Sequence, residues 1–193
     1  MAVRSPHDYV GYRLITPPAS YPVSLAEACL FLRLEVGEDD ARINALIAAA
    51  TSLLDGNNGM LGRCIVSQTW ELVLDEFSTA IRLGLGPVSS VTSVKYLDTA
   101  AVEQTVSAAD YSTDLVSDPQ WIVLNADSSW PDVMDAVNVV TIRFVAGYAT
   151  VPDTIKQAIL FLVSAMYDNG GAIPDDSWKT VHALLANSRA FAL

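Results

Sequence analysis

Apolar and polar positions follow a helical period at both ends of this chain and an alternating period between them. Ser24 and Glu27 form a capping box, in which each side chain satisfies a backbone amide left unpaired by the first helical turn. A helix is predicted from there through Ala26, Leu30, Phe31 and Leu34, stopping near Gly37. Glu38, Asp39 and Asp40 suit the positive end of a second helix dipole. Ile43, Leu46, Ile47, Ala50, Leu53 and Leu54 then give the stripe of a helix packed on one side. Asp55-Gly56-Asn57-Asn58-Gly59 ends it, because Gly and Asn tolerate left-handed geometry.

The period then becomes two. Val66, Trp70, Leu72 and Leu74 share one face of a predicted strand, and Ser67, Thr69 and Glu71 share the other, as in a half-buried strand. Ile81, Leu83 and Leu85 alternate next, followed by a Val/Ser/Thr-rich stretch from Val88 to Tyr96. Further strands are predicted at Trp121–Leu124 and Val139–Val145, with turn residues clustered between them. Helical spacing returns after Gly147, with Pro152 and Asp153 at the start of a helix. Its buried stripe is Ile155, Ala158, Ile159, Leu162, Val163 and Met166, and Gly170-Gly171 ends it. A last amphipathic helix follows Pro174, with Val181, Leu184 and Leu185 apolar.

Neither helical pair can hide its stripe alone, so the two pairs are expected to pack together. The predicted class is α+β: a bundle of two N-terminal and two C-terminal helices with an inserted antiparallel β subdomain. The expected boundaries are an extended, proline-rich N-terminal arm at 1–22, a helical core at 23–62 and 149–193, and the β subdomain at 63–148. Pro6, Pro17, Pro18 and Pro22 exclude a helix in the arm, and its Tyr9, Tyr12 and Tyr21 suggest that it docks, on its own domain or elsewhere.

Composition narrows the function classes. The 193 residues are 51% hydrophobic and 17% charged, a balance that builds a core. Eleven basic against 22 acidic residues leave a net charge of −11, and no Lys/Arg cluster occurs. A protein that grips phosphates or an anionic membrane needs the opposite sign. Acidity also serves solubility. No signal peptide is read at the N-terminus, and the apolar run Ala158–Val163 is far short of the roughly 20 residues of a membrane span. Cys29 and Cys64, distant and without a CxxC partner, are expected to be free, buried thiols in a reducing compartment.

Catalytic patterns are missing. His7 and His182 lie in no metal-ligand spacing, so no metal and no cofactor are expected. Gly84-Leu85-Gly86-Pro87 completes no phosphate loop and reads as a turn. The acid pairs Asp39-Asp40 and Asp75-Glu76 have ordinary structural uses, and no GxSxG elbow exists. No catalytic residue is assigned and the chain is expected not to be an enzyme. The apolar C-terminal tail, Arg189-Ala190-Phe191-Ala192-Leu193, reads either as a docking contact or as a loose end.

The stretch from Leu61 to Leu72, LGRCIVSQTWEL, resembles the LGRxLxxQTWEL segment of tailed-phage head–tail connector proteins, also called head-completion or adaptor proteins. Gly86–Val91 leading to Val94–Asp98, Trp130-Pro131, and Ile142–Tyr148 agree in order and spacing. So do Val151-Pro152, Ile155–Ile159 and Tyr167. The resemblance spans about Tyr21 to Arg189. One departure is Asp168-Asn169-Gly170-Gly171, where family members often carry an Asn-Arg-Glu-like ending, so an arginine contact there does not carry over.

The resemblance implies a structural virion protein of a bacteriophage or prophage neck, assembled in the bacterial host cytoplasm. It implies a homo-oligomeric, usually dodecameric ring beneath the portal protein. The ring extends the DNA channel and docks the stopper or tail-completion protein, serving DNA packaging and genome ejection. DNA would pass without specific binding, and no membrane is involved. The family's portal-binding C-terminal region maps here to Leu184, Leu185, Arg189 and Phe191. An acidic lumen wall would repel phosphates, and the arm at 1–20 is expected to order on a neighbouring copy. Two other readings remain open: a tail-associated β module binding a host surface component through Trp121 and Trp130, and a hydrolase built from Asp and Glu of the β subdomain.

Overall fold

In the computed structural model, residues 11–189 are described. They form an α+β protein of two compact units. Of the described residues, one unit comprises 11–17 together with Ser67–Gly147, and the other comprises Pro18–Val66 with 148–189. The predicted arm is therefore divided between the two. Its described residues up to Pro17 join the β unit, while Pro18–Pro22 join the helical unit.

The helical unit contains α1 (Leu25–Leu32), α2 (Asp40–Leu54), α3 (Asp153–Asp168) and α4 (Asp175–Leu185). The Ser24 capping box is made in full: Glu27 N donates to Ser24 Oγ at 3.2 Å, and Ser24 N donates to Glu27 Oε2 at 2.7 Å. Lys156 of α3 adds an ion pair to Glu27 at 3.0 Å. The helix is shorter than its apolar spacing predicted, because Arg33 turns left-handed at φ 60° and closes it with amide bonds back to the last turn. The buried face also differs. Ala28 and Cys29 face the core, whereas Ala26 is exposed and Leu30 is 81% exposed. Phe31 and Leu34 of the predicted stripe do pack against the core as partly buried residues, Phe31 edge-on to Phe161 of α3.

The stripe of α3 is the one the spacing predicts, and that of α2 holds except that Leu46 is only partly buried and Leu53, at the edge of the stripe, is exposed. Ile43, Ile47, Ala50 and Leu54 of α2 join Ile155, Ile159, Leu162 and Met166 of α3 in one core with Val181 and Leu185 of α4. Asp55 closes α2 by accepting from Ile65 N at 2.6 Å. Among the described residues no helix is long and apolar enough to cross a membrane.

The β unit holds a five-stranded sheet and a three-stranded sheet, with all pairs antiparallel. The first contains β1 (Gly11–Thr16), β2 (Gln68–Leu74), β4 (Val88–Leu97), β5 (Glu103–Thr105) and β8 (Val140–Ala146), in the order β1-β2-β8-β4-β5. The second contains β3 (Ala80–Leu83), β6 (Tyr111–Asp114) and β7 (Gln120–Leu124), in the order β3-β7-β6. The register sets Trp70 beside Phe144 and Leu72 beside Ile142, which makes one face apolar and buried. Strands β1, β5 and β6 have no counterpart in the period-two reading. The run Gly84–Pro87 is the connection between β3 and β4.

Candidate functional site

The four candidate contact residues fall in different environments. Val181 and Leu185, four apart on α4, both turn into the helical core, and Leu185 is fully buried. Leu185 therefore fixes α4 to the bundle and is not open to a partner, which corrects its reading as a contact. Leu184, one residue back, is partly buried at the margin of the same core. Arg189 is exposed. Phe191 lies outside the described residues, as does His7. His182 is exposed on α4 with its ring 6.0 Å from that of Trp178.

Among the described residues, no group of three or more His, Cys, Asp and Glu could hold a metal ion. The carboxylates that stand out chemically work as local clamps. Asp98 accepts from the Gln104 side chain and from the amides of Val102 and Ala100, and these bonds hold its pKa below the ordinary value. Asp114 is lowered likewise, first by the Ser117 hydroxyl and then by the amides of Ser117 and Val116. Both remain ionised while shaping turns.

Trp121 and Trp130 are each half-buried. Trp130 stacks on Phe77 with centroids 4.5 Å apart and planes 4° apart, and its indole donates to Ser78 O at 2.8 Å. Phe77 also meets Tyr96 of β4, while Trp130 meets Tyr111 of β6, so an aromatic row ties the two sheets together. Packing accounts for Trp130.

Two polar sites were hidden from sequence reasoning. On the five-stranded sheet, Glu71 sits between Arg13 of β1 and Arg143 of β8 in the strand register. Its Oε1 accepts from Arg143 Nη2 at 2.6 Å and Nε at 3.0 Å, while Oε2 lies 3.0 Å from Arg13 Nη2. On the helical unit, Arg42 of α2 donates to Tyr167 O at 2.9 Å, and its guanidinium carbon lies 4.4 Å from the Tyr167 ring centroid. Burial and then the Asp39 carboxylate raise the Tyr167 pKa. The spacing of Glu71 and the arginines in sequence carries no signal, because only strand register brings them together.

The chain as a whole shares its architecture with proteins of a phage-like particle. It superposes on a chain in the neck of the empty gene transfer agent particle, solved with C6 symmetry, with a TM-score of 0.70 and 22% identity, over 95% of this chain and 97% of that one. A chain of the native gene transfer agent virion gives 0.67 and 22%, covering 94% and 96%. A chain of the native particle's neck, solved with C12 symmetry, gives 0.66 and 22%, covering 95% and 97%. The fold is that of a neck chain. No family model and no curated protein sequence matches. A match over 95% of the chain takes in residues of both units, so the β unit belongs to the common architecture.

Proposed function

We propose that this protein is a structural connector of a tailed-phage or prophage neck, working by assembly and without catalysis. In this reading identical copies form a ring beneath the portal, extend the DNA channel, and carry the stopper or tail-completion protein on the far side. The observation that supports it most is the near-complete two-way coverage of the neck-chain fold. The order of connector-like motifs from Leu61 to Tyr167 points the same way.

Charge fits the role. Between Lys95 and Arg143 the chain carries eight acidic residues, from Asp98 to Asp135, and no Lys or Arg. All lie in the β unit, which makes that unit the natural wall of a channel through which DNA slides, since carboxylates repel phosphates. In this reading portal contact falls to the exposed Arg189 and the partly buried Leu184, together with Phe191, which lies outside the described residues.

Electron microscopy of the purified protein, alone and mixed with purified portal, tests the reading. Rings, or a portal bearing an added ring, are expected. Monomers that never join the portal would overturn it. A chain ending at Asn187 keeps Leu185 and the core, and should fold normally but lose portal binding; unchanged binding would remove the tail from the contact.

A further inference from the structure

The β unit is built around a strand that arrives from outside it. Strand β1 pairs with β2 as the outermost strand of the five-stranded sheet, and five of its six residues are exposed. Leu14 and Ile15 are exposed apolar residues on this edge, where natural sheets usually place charge or proline. The chain then leaves the unit between Pro17 and Pro18, and runs through the first two helices of the other unit before β2 begins at Gln68.

What receives β1 is a socket with three fittings. Glu71 keeps Oε2 for Arg13 while Arg143 occupies Oε1. Gly84 donates its amide to the Tyr12 hydroxyl at 2.9 Å, and a Cβ on Gly84 would stand 2.7 Å from that oxygen, so any larger residue would push the hydroxyl aside. The Tyr12 ring meets Phe144 edge-on at 6.5 Å. Without a β1, the buried Glu71 carboxylate keeps Arg143 alone and loses its second arginine, and β2 is left with an unpaired strand edge. Nothing in the fittings requires that the strand come from the same chain. An exchanged strand makes the same bonds, which is why terminal elements swap between identical copies at low cost.

We propose that β1 is an exchangeable strand, and that in the assembled state Gly11–Thr16 of one copy fills the Glu71–Gly84–Phe144 socket of the next. This rests on the ring reading for its partner, a second copy of this chain. Pro17-Pro18 is the hinge: with both φ angles fixed and two amide donors missing, it neither extends the strand nor starts a helix. Each copy thereby gives a strand and receives one, and Leu14 and Ile15 are brought to the junction between copies.

Register supplies the test. Gly11 lies opposite Val73, and a Cβ on Gly11 would stand 3.8 Å from the Val73 Cβ, the separation of a disulfide. The Gly11→Cys/Val73→Cys double variant is oxidised after assembly and run on a denaturing, non-reducing gel. Exchange gives a reducible ladder of linked chains, and mixed single variants give a linked pair. Faster-running single chains from the double variant, with no linked pair from the mixture, overturn the proposal. Thr16→Cys with Thr69→Cys, also paired in the register, repeats the experiment if the first pair disturbs folding. Microscopy of the same samples, assembled in the presence of purified portal, separates the two readings. Rings whose bonds are all within chains leave the connector standing and end the exchange. Linked pairs without rings do the reverse, and single chains without rings end both.

Discussion

Glu71 and Arg143 face each other across adjacent strands, with Nη2 2.6 Å from Oε1 and the carboxylate side chain 8% exposed. The two arginines that share this carboxylate keep much of their surface in water. Removing Glu71 therefore cancels both pairs, whereas removing Arg13 leaves the acid held by Arg143. Glu71→Ala is expected to lower unfolding stability by about 1–3 kcal/mol, and Arg13→Ala by less than about 1 kcal/mol. Urea unfolding measures both, and equal losses would contradict the shared geometry.

The α1 cap should be visible as a pH effect. Bonds from the Ser24 amide first, then the Ser24 hydroxyl and Lys156, hold Glu27 down to about 2 from the usual 4.5. A folded value below the unfolded one means that the stabilisation is complete above about pH 4.5 and is lost as pH falls toward 2. Glu27 is partly exposed, so solvent screening keeps the effect small. Glu27→Gln should flatten the stability profile across that window, and Ser24→Ala should cost about 1 kcal/mol at neutral pH. Thermal unfolding from pH 5 to 2 provides the check; an unchanged slope in Glu27→Gln would remove the cap as its source.

The end of α4 separates folding from docking. Leu185→Ala empties a fully buried position and should cost about 2–5 kcal/mol. Arg189→Ala touches an exposed residue and should stay within about 0.5 kcal/mol of the parent. Its expected effect is weaker portal binding, read by pull-down on purified portal. A large loss of stability in Arg189→Ala would count against a docking role.

Both thiols should be silent in the native protein. Cys29 and Cys64 are buried, and burial, followed by the Asp40 charge, pushes the Cys29 pKa up. Maleimide labelling is expected to proceed only as fast as the protein opens, and to become rapid in denaturant. Fast labelling of Cys29 in the folded protein would show that α1 breathes away from the core.

Periodicity was enough for the helices because α2 and α3 are long and one-sided. It misread α1, where Ala28 and Cys29, inconspicuous in sequence, outrank the larger Leu30 for burial. It passed over β1 because prolines and exposed side chains mask an edge strand, and over β5 and β6 because they are short and polar. Glu71 looked solvated because alternation assigns a face without saying what lies across it. Two arginines lie there, and only pairing of Arg13, Glu71 and Arg143 along three strands reveals them. Leu185 was offered as a contact because its position near the chain end outweighed its spacing from Val181.

The helical unit is discontinuous in sequence, with α2 ending at Leu54 and α3 beginning at Asp153. At a synthesis rate of about 5–20 residues per second, the ribosome needs roughly 5–20 s to cross that gap. For all that time the apolar stripe of α2 has emerged without the helix that covers it. All strands of the β unit have been made by then, so that unit can close first. Translation order thus makes α3 and α4 the late additions that close the bundle over α2.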